Sequence, residues 1–493
     1  MAQIKINKLT FAYDGRGENV FDNVSFSFDS NWKIGLIGRN GRGKTTLLKL
    51  LLGELDDRGS ITGNKNLVYF PCKVNSPEMY GIELIEEICP DCQQWQVEKK
   101  LNELDFNVED LYKPFCNLSN GQQTKFLLAL LFAKEDVFLL IDEPTNHLDL
   151  YGREQVSEFL SKQRNGYIIV SHDRSFIDGC VDHIISINKS DIEVQKGNFS
   201  SWQENKNRSD EFELFQNEKI KKDITRLQES AKEVKVWADR VEKTKNHTRN
   251  SGVKLDKGYV GHQSARMMKK SKVLEGRIER AIEEKSKLLK NIEHNDEIFL
   301  NFKNSTKDNL LQVKNISFYY GAKEVFKDLS FSVSKGDKIA VFGKNGCGKS
   351  TLFKVLIGEK EVSSGEIYKY CNLKISYISQ NFDFLKGNIV NFAKENFKDE
   401  YKFFTMLIKL GFTRDEFDKN MEAMSSGQKK KVLIAKSLCE ECNIYIWDEP
   451  LNFIDVISRR QIEELVQKSD ITMLFVEHDK TFVENVATKI IEL

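Results

Sequence analysis

GRNGRGKTTLLKLLLGE, residues 38 to 54, puts glycines at 38, 41 and 43 ahead of an apolar helical run, and Ile34 to Ile37 before it is apolar and strand-like. The segment therefore reads strand, tight glycine loop, helix. Without Cβ atoms, the backbone N–H groups of such a loop can converge on one point, and the following helix N-terminus adds partial positive charge. That is a cradle for a polyphosphate. Lys44 is placed to reach the outer phosphates and Thr45 to hold Mg²⁺, with Gly38, Asn40, Gly41, Gly43 and Thr46 completing the loop.

The same string returns as GKNGCGKSTLFKVLIGE at 343 to 359, a shift of 305 residues. Here Gly343, Asn345, Gly346, Gly348, Lys349, Ser350 and Thr351 take the corresponding places. Three further strings recur at a shift of 306: LSNGQQ from Leu118 as MSSGQK from Met424, FLLIDEPTNHLD as YIWDEPLNFID, and VSHD as VEHD. The halves are copies of one α/β domain. Phe138 to Ile141 and Ile444 to Trp447 are buried-strand runs that end in acidic pairs. Asp142 and Asp448 are set to hold Mg²⁺, while Glu143 and Glu449, one residue on, are candidate general bases for an attacking water. His172 and His478 each follow a second strand-like run in the same register and are candidate catalytic partners.

The chain has 493 residues and a net charge of zero, which predicts two or three domains. No run of eighteen apolar residues occurs, which excludes a membrane-spanning helix. The opening MAQIKINKLTFAYDG lacks a signal-peptide core, so a cytoplasmic protein without a membrane partner is expected. Its nine cysteines then read as reduced thiols, and the pairs Cys89/Cys92 and Cys439/Cys442 have no neighbouring Cys or His pair to complete a zinc set.

Residues 1–204 and 303–493 read as the repeated domains, with an unrelated linker at 205–302. Ile220, Ile224, Leu227, Ala231, Val234, Ala238 and Val241 alternate steps of four and three, as do Leu274, Ile278, Ala281, Leu288 and Ile292 around Lys285. The glycine-containing break NSGVKLDKGYVG, residues 250 to 261, makes an antiparallel helical hairpin the expectation, with arms of roughly 45 to 55 Å. Between Lys219 and Lys290 there are 21 Lys/Arg against 10 Asp/Glu; from 243 to 272 there are nine against one. A solvated coiled-coil face would mix signs, whereas a one-sided patch fits a polyphosphate partner.

These motifs resemble the ATP-binding cassette superfamily, whose cassettes close head to tail on two ATP molecules. The resemblance implies that Ser425, Gly427 and Gln428 complete the N-terminal site, that Ser119, Gly121 and Gln122 complete the C-terminal one, and that Tyr13 and Tyr320 stack on adenine. It implies a Mg²⁺ contact from Gln380 in YISQ, where the first half has Cys72 in YFPC. Asn120 replaces a signature glycine, Leu451 stands against Thr145, and Glu477 against Ser171, so the two sites are expected to be unequal.

Tandem cassettes around such a hairpin, with EPTNHLD, resemble the ABC-F proteins. MSSGQKKKVLIAKSLCE, IYIWDEPLNFID and GYVGHQSARMMKKSK are similar to the Lsa/Vga type of antibiotic-resistance factor. That resemblance implies the ribosomal exit site, large-subunit rRNA and peptidyl-tRNA as partners, with no obligate second protein subunit. The hairpin would reach towards the peptidyl-transferase centre, and the drugs implied are lincosamides, pleuromutilins and group A streptogramins. Lys254, Leu255, Lys257, Tyr259, Lys269, Lys270 and Lys272 are the candidate RNA-contacting residues, Tyr259 by stacking on a base. The competing readings are a housekeeping ABC-F translation factor, the ATPase subunit of a membrane transporter, and a DNA-repair cassette protein.

Overall fold

The computed structural model describes residues 3–13, 19–56, 58–63, 66–146, 148–188, 191–244, 262, 265–266, 269–270, 273–274, 276–277, 300–303, 307–344, 346–413 and 416–493. Two compact units result, one of Met1–Trp202 with Asn295–Leu493 and the other of Gln203–His294. The first unit holds both repeated domains.

In the first half, six strands run in the order Asn66–Phe70, Val137–Asp142, Tyr167–Val170, Lys33–Gly38, His183–Ile187 and Ile192–Lys196, parallel except for the last. The strand Gln3–Phe11 pairs antiparallel with Phe21–Asp29 and Arg58–Thr62 to make a small second sheet. In the second half, Asn309–Tyr320 lies between Lys323–Ser334 and Ser364–Lys369. The main sheet there has five parallel strands: Ile375–Ile378, Ile444–Asp448, Met473–Val476, Lys338–Phe342 and Lys489–Glu492. Sheets covered on both faces need unbroken apolar strands, and Phe138 to Ile141, Tyr167 to Val170 and Ile444 to Trp447 are fully buried.

Three neighbouring strands in each half place the motifs. The phosphate loop leaves the carboxyl end of Lys33–Gly38, the acidic pair closes Val137–Asp142, and His172 follows Tyr167–Val170. Carboxyl ends at a change of strand order are where open α/β sheets leave room for a ligand. Gly43 opens the helix Lys44–Leu52 at φ 89°, and a Cβ there would stand 2.6 Å from Val20 Cγ1. Gly348 does the same for Lys349–Ile357 at φ 108°, against Val325. Only glycine fits at either point.

Both signature helices, Asn120–Ala133 and Ser426–Cys439, start with a capping box: Ser119 with Gln122, and Ser425 with Gln428. Each serine thus sits at a helix N-terminus. The halves meet through polar pairs, including Arg174 with Glu463 and Asp479, Lys480 with Glu154 at 3.4 Å, and Ser175 with Thr481 at 2.9 Å.

The helix Phe199–Thr244 spans 46 residues, roughly 70 Å at 1.5 Å per residue. Its first turn packs Phe199 and Trp202 with Ile37, Ile177 and Ile184 of the first half and Val456 of the second. Further along the linker, the described residues 262, 265, 266, 269, 270, 273, 274, 276 and 277 are helical, and Lys269 and Lys270 are exposed. Lys254, Leu255, Lys257, Tyr259 and Lys272, and the turn and the pairing of the arms, lie outside the described residues.

The cysteines depart from the expectation of reduced thiols throughout. The sulfurs of Cys89 and Cys92 are bonded, leaving Cys72, Cys116, Cys180, Cys347, Cys371, Cys439 and Cys442 as free thiols. The pair lies three residues apart just past the helix Gly81–Ile88, with Cα atoms 5.4 Å from each other, near enough to bridge without moving the backbone.

Trp202 joins the root of the long helix to both halves, so Trp202→Ala should cost about 3 to 5 kcal/mol, the usual range for truncating a buried tryptophan. Chemical denaturation reads this as a lower unfolding midpoint; an unchanged midpoint contradicts the packing described.

Candidate functional site

Two cavities lie between the halves, and each draws its walls from both. The first, of about 430 Å³, is walled by Tyr13, Asn40, Gly41, Gly43, Lys44, Thr45, Thr46, Asp142, Glu143 and His172 of the first half, with Ser425, Ser426, Gly427 and Phe453 of the second. The other, of about 870 Å³, brings Lys344, Gly346, Gly348, Lys349, Ser350, Thr351, Gln380, Glu449 and His478 together with Ser119, Asn120, Gly121 and Gln122. Each phosphate loop therefore faces the signature helix of the opposite half.

The first cavity is stitched shut on one side. Asn40 donates from Nδ2 to the Phe453 carbonyl at 2.8 Å, and its backbone N–H points to Asp455 Oδ2 at 3.4 Å. Asp455 also accepts from Lys431 at 2.7 Å, with both side chains buried. Burial alone would raise the Asp455 pKa, but the charge and hydrogen bond of Lys431, and the charge of Lys44, hold it well below the carboxylate range. Gly427 sits inside this seam, where a Cβ would stand 2.5 Å from both Asn40 Nδ2 and the Phe453 oxygen. Asn345, the counterpart of Asn40, lies outside the described residues.

The loop lysines are buried and folded into their loops. Lys44 Nζ donates to the Gly38 carbonyl at 2.7 Å and Lys349 Nζ to that of Gly343, also at 2.7 Å. Thr45 Oγ1 donates to Asp142 Oδ2 at 2.8 Å, so the two residues predicted to hold Mg²⁺ already face one another. Asp448 has both carboxylate oxygens buried without a well-formed partner, although the Ser350 hydroxyl is near enough to favour the ionised form. Burial nonetheless pushes Asp448 up to about 6. An orphaned buried carboxylate beside a serine hydroxyl is a donor set that fits a hard divalent cation.

The acids next in sequence share a backbone feature that sequence reading did not foresee. Glu143 has φ 52° and Glu449 φ 48°, the left-handed region that side chains other than glycine rarely adopt. Their backbone N–H groups donate to the Val170 and Val476 carbonyls, which ties each acid to the strand leading to its histidine.

Beyond the backbone the halves diverge. Glu449 accepts from Gln380 Nε2 at 2.9 Å and Asn452 Nδ2 at 2.7 Å, and lies 3.2 Å from His478 Nε2. Burial would raise its pKa, but the hydrogen bond and charge of His478, followed by Gln380 and Lys430, bring it below the usual value. Glu143 has His172 Nε2 at 3.0 Å, and neither of its oxygens has a well-formed hydrogen bond among the described residues. Burial, with the Asp142 charge, pushes Glu143 up to about 8, and burial drives His172 well below the ordinary histidine value.

Gln380 lines the second cavity, where its Nε2 donates to Glu449 at 2.9 Å. Cys72, in the matching position, packs against the first half's core. Gln428 does not line the first cavity: as the N3 residue of its capping box it turns its amide nitrogen to Glu416, as Gln122 does to Asp110. Gly38 and Gly343 shape the loops from behind. Tyr320 is outside the second cavity's wall, its hydroxyl 3.5 Å from Thr351 and its ring covered by Lys360 Nζ at 4.5 Å, whereas Tyr13 lines the first.

A phosphate loop, an acidic pair and a switch histidine, completed across a dimer-like seam by a second helix N-terminus, define an ATPase of the cassette class. Residues 21–146 and 326–452 match the family described as ABC transporter. The chain belongs to that family and carries the matched domain twice. It is 29% identical to the ATP-binding protein Uup of Buchnera aphidicola subsp. Acyrthosiphon pisum over 99% of this chain and 80% of that one. It is 28% identical to the ribosome protection protein VmlR of Bacillus subtilis over 96% of this chain and 84% of that one. The archaeal ribosome recycling factor aABCE1, solved with the stalk protein aP1, shares the fold at a TM-score of 0.64 and 18% identity, covering 98% of this chain and 87% of that one.

Gly427→Ala should drive the signature off Asn40 and lower ATP turnover at least about tenfold by misplacing the groups of that site, measured in steady state; normal turnover contradicts the seam. The two acids should also differ in their response to pH. Because Glu143 titrates near 8 when folded and near 4.5 when unfolded, the nucleotide-free fold loses stability as pH rises through that window. Glu143→Gln removes the loss, so it should stabilise the protein by on the order of 1 to 3 kcal/mol at pH 8 and little at pH 5. Glu449→Gln should give no such gain, and equal thermal shifts for both would contradict the difference between the sites.

Proposed function

We propose that this chain is an ATP-driven ribosome protection factor that binds the exit site and sends its basic linker towards the peptidyl-transferase centre. The observation that carries the reading is the joining of two composite ATP cavities to a linker with 21 basic against 10 acidic residues between 219 and 290. The similarity to VmlR, named as a ribosome protection protein, supports it.

In this reading Lys44 and Lys349 leave their loop carbonyls for the outer phosphates, and the loop N–H groups and both helix N-termini surround the remaining oxygens. Mg²⁺, held by Thr45 with Asp142 and by Ser350 with Asp448, would supply positive charge to the bridging phosphate oxygens. Glu143 and Glu449 accept the proton of the attacking water, while His172 and His478 hold those carboxylates towards the phosphate. Ser119 and Ser425 reach the terminal phosphate from the opposite half. ATP binding thus draws the halves together, and hydrolysis releases them. Drug displacement, directly or through the surrounding RNA, would be the consequence of the linker's position.

Glu143→Gln with Glu449→Gln should cut hydrolysis by about 10² to 10⁴, the usual contribution of a general base. Wild-type turnover would remove both assignments. Reversing Lys254, Lys257, Lys269, Lys270 and Lys272 to Glu should weaken ribosome cosedimentation and flatten its dependence on salt, since that slope scales with the number of phosphates the protein neutralises. Tyr259→Ala removes no charge and about 1 to 3 kcal/mol of stacking, so ribosome binding should persist while drug protection falls. Undiminished protection of a susceptible host by the charge-reversed protein would overturn this mechanism, and a host that gains no protection from the unaltered protein would favour a housekeeping translation factor.

A further inference from the structure

Lys430 is an unusual residue to find where it is. It lies one turn into the signature helix Ser426–Cys439, is 1% exposed, and donates to the carbonyls of Ser379 at 3.1 Å and Glu449 at 3.2 Å. Those carbonyls belong to the residue before Gln380 and to the candidate base itself. One ammonium group therefore bridges the two segments whose side chains meet in the Gln380–Glu449 hydrogen bond. The carboxylates of Glu477, Asp448 and Glu449 provide the negative charge around it.

Glu477 is the second half of the arrangement. Its side chain is buried, Oε1 accepts from the Leu451 N–H at 2.7 Å, and Oε2 from the His478 N–H at 3.3 Å. It thereby fastens the loop that follows Glu449 to the backbone of the histidine that faces Glu449. The first half does this differently. Thr124 stands in the Lys430 position, and its hydroxyl only returns to the Asn120 carbonyl one turn back. Ser171 and Thr145 share one hydrogen bond between hydroxyls at 3.0 Å where Glu477 and Leu451 meet. The Leu451 and Glu477 departures are thus two sides of one interaction: leucine removes the hydroxyl partner, and glutamate is long enough to take the backbone N–H instead.

We infer that Lys430 and Glu477 are a pair of positioning residues for the C-terminal ATP site, which lock Glu449 between Gln380 and His478 and make this site the faster of the two. The pair supplies charge to one site and has no equivalent at the other. The buried Lys430 ammonium has its charge compensated by the three acids around it. The inference rests on Glu449 being the base of that site.

The test uses the full-length chain with one site silenced at a time. Glu143→Gln leaves turnover to the C-terminal site, and Glu449→Gln leaves it to the N-terminal one. Lys430→Thr and Glu477→Ser, which copy the first half, should each lower kcat about tenfold in the Glu143→Gln background with KM for ATP little changed, as expected for a misplaced base. Lys430→Arg, which keeps the charge and reach, should recover most of that loss, and Glu477→Gln, which can still accept from the Leu451 N–H, should be milder than Glu477→Ser. In the Glu449→Gln background the effect on kcat should be no more than about twofold. Equal losses in both backgrounds, a loss confined to KM, or no recovery with arginine would overturn the proposal. Wild-type turnover in the Glu143→Gln, Glu449→Gln double variant would instead overturn the underlying assignment of the bases.

Discussion

A glycine loop can surround a polyphosphate on one side only. Its N–H groups and the helix behind it converge from below, and the exposed face of the terminal phosphate needs donors from elsewhere. In this chain Ser119 and Ser425, each at the N-terminus of a helix in the opposite half, line the two cavities where such donors are needed. Every larger feature follows from that incompleteness. The chain must carry the domain twice, the copies must face head to tail, and the seam must combine attraction with the freedom to open. Polar pairs such as Lys480 with Glu154 and Ser175 with Thr481 suit such a seam better than a continuous apolar face, which would hold the halves together without nucleotide.

Duplication supplies symmetry, and the side chains then depart from it. The N-terminal site is tightly stitched by Asn40, Phe453 and Asp455, and its acid, Glu143, faces His172 Nε2 at 3.0 Å, with burial and the Asp142 charge raising its pKa. The C-terminal site is the roomier cavity, and its acid is held as a carboxylate by three side chains. A site that grips the seam and a site whose base is prepared can divide binding and turnover between them. Arg153 offers a connection, since its Nη1 donates both to Asp173 in its own half at 2.8 Å and to the His478 carbonyl of the other at 3.3 Å.

Much of this was legible because its signal is local. Glycines at 38, 41 and 43, the DE pairs and the apolar strands before them are contiguous strings, and their repetition identified the domain twice over. The strand-loop-helix order placed each motif at a strand's carboxyl end. What escaped notice depends on contacts between segments far apart in sequence. MSSGQKKKV reads as a basic stretch on a helix; that its middle lysine is buried against the Glu449 carbonyl is a property of how Ile444–Asp448 packs on that helix. Glu477 and Leu451 appeared as two separate departures from the first half, and only the 2.7 Å bond between them joins them. The left-handed backbone of Glu143 and Glu449 was equally invisible, since glycine or asparagine is the usual sign of it. Gln428 and Gln122 carry a further local role that recurrence alone did not show: each closes the capping box of its helix, and Gln122 also lines the second cavity.

The central claim is that each nucleotide is shared between the halves. It is tested most directly by a structure, determined by electron cryomicroscopy, of the Glu143→Gln, Glu449→Gln protein trapped with ATP on the ribosome. The account predicts two nucleotides, one with its terminal phosphate within hydrogen-bonding distance of Ser425 and the loop of Lys44, the other likewise between Ser119 and the loop of Lys349. Two nucleotides each held wholly within one half, with the signature serines facing solvent, would contradict it.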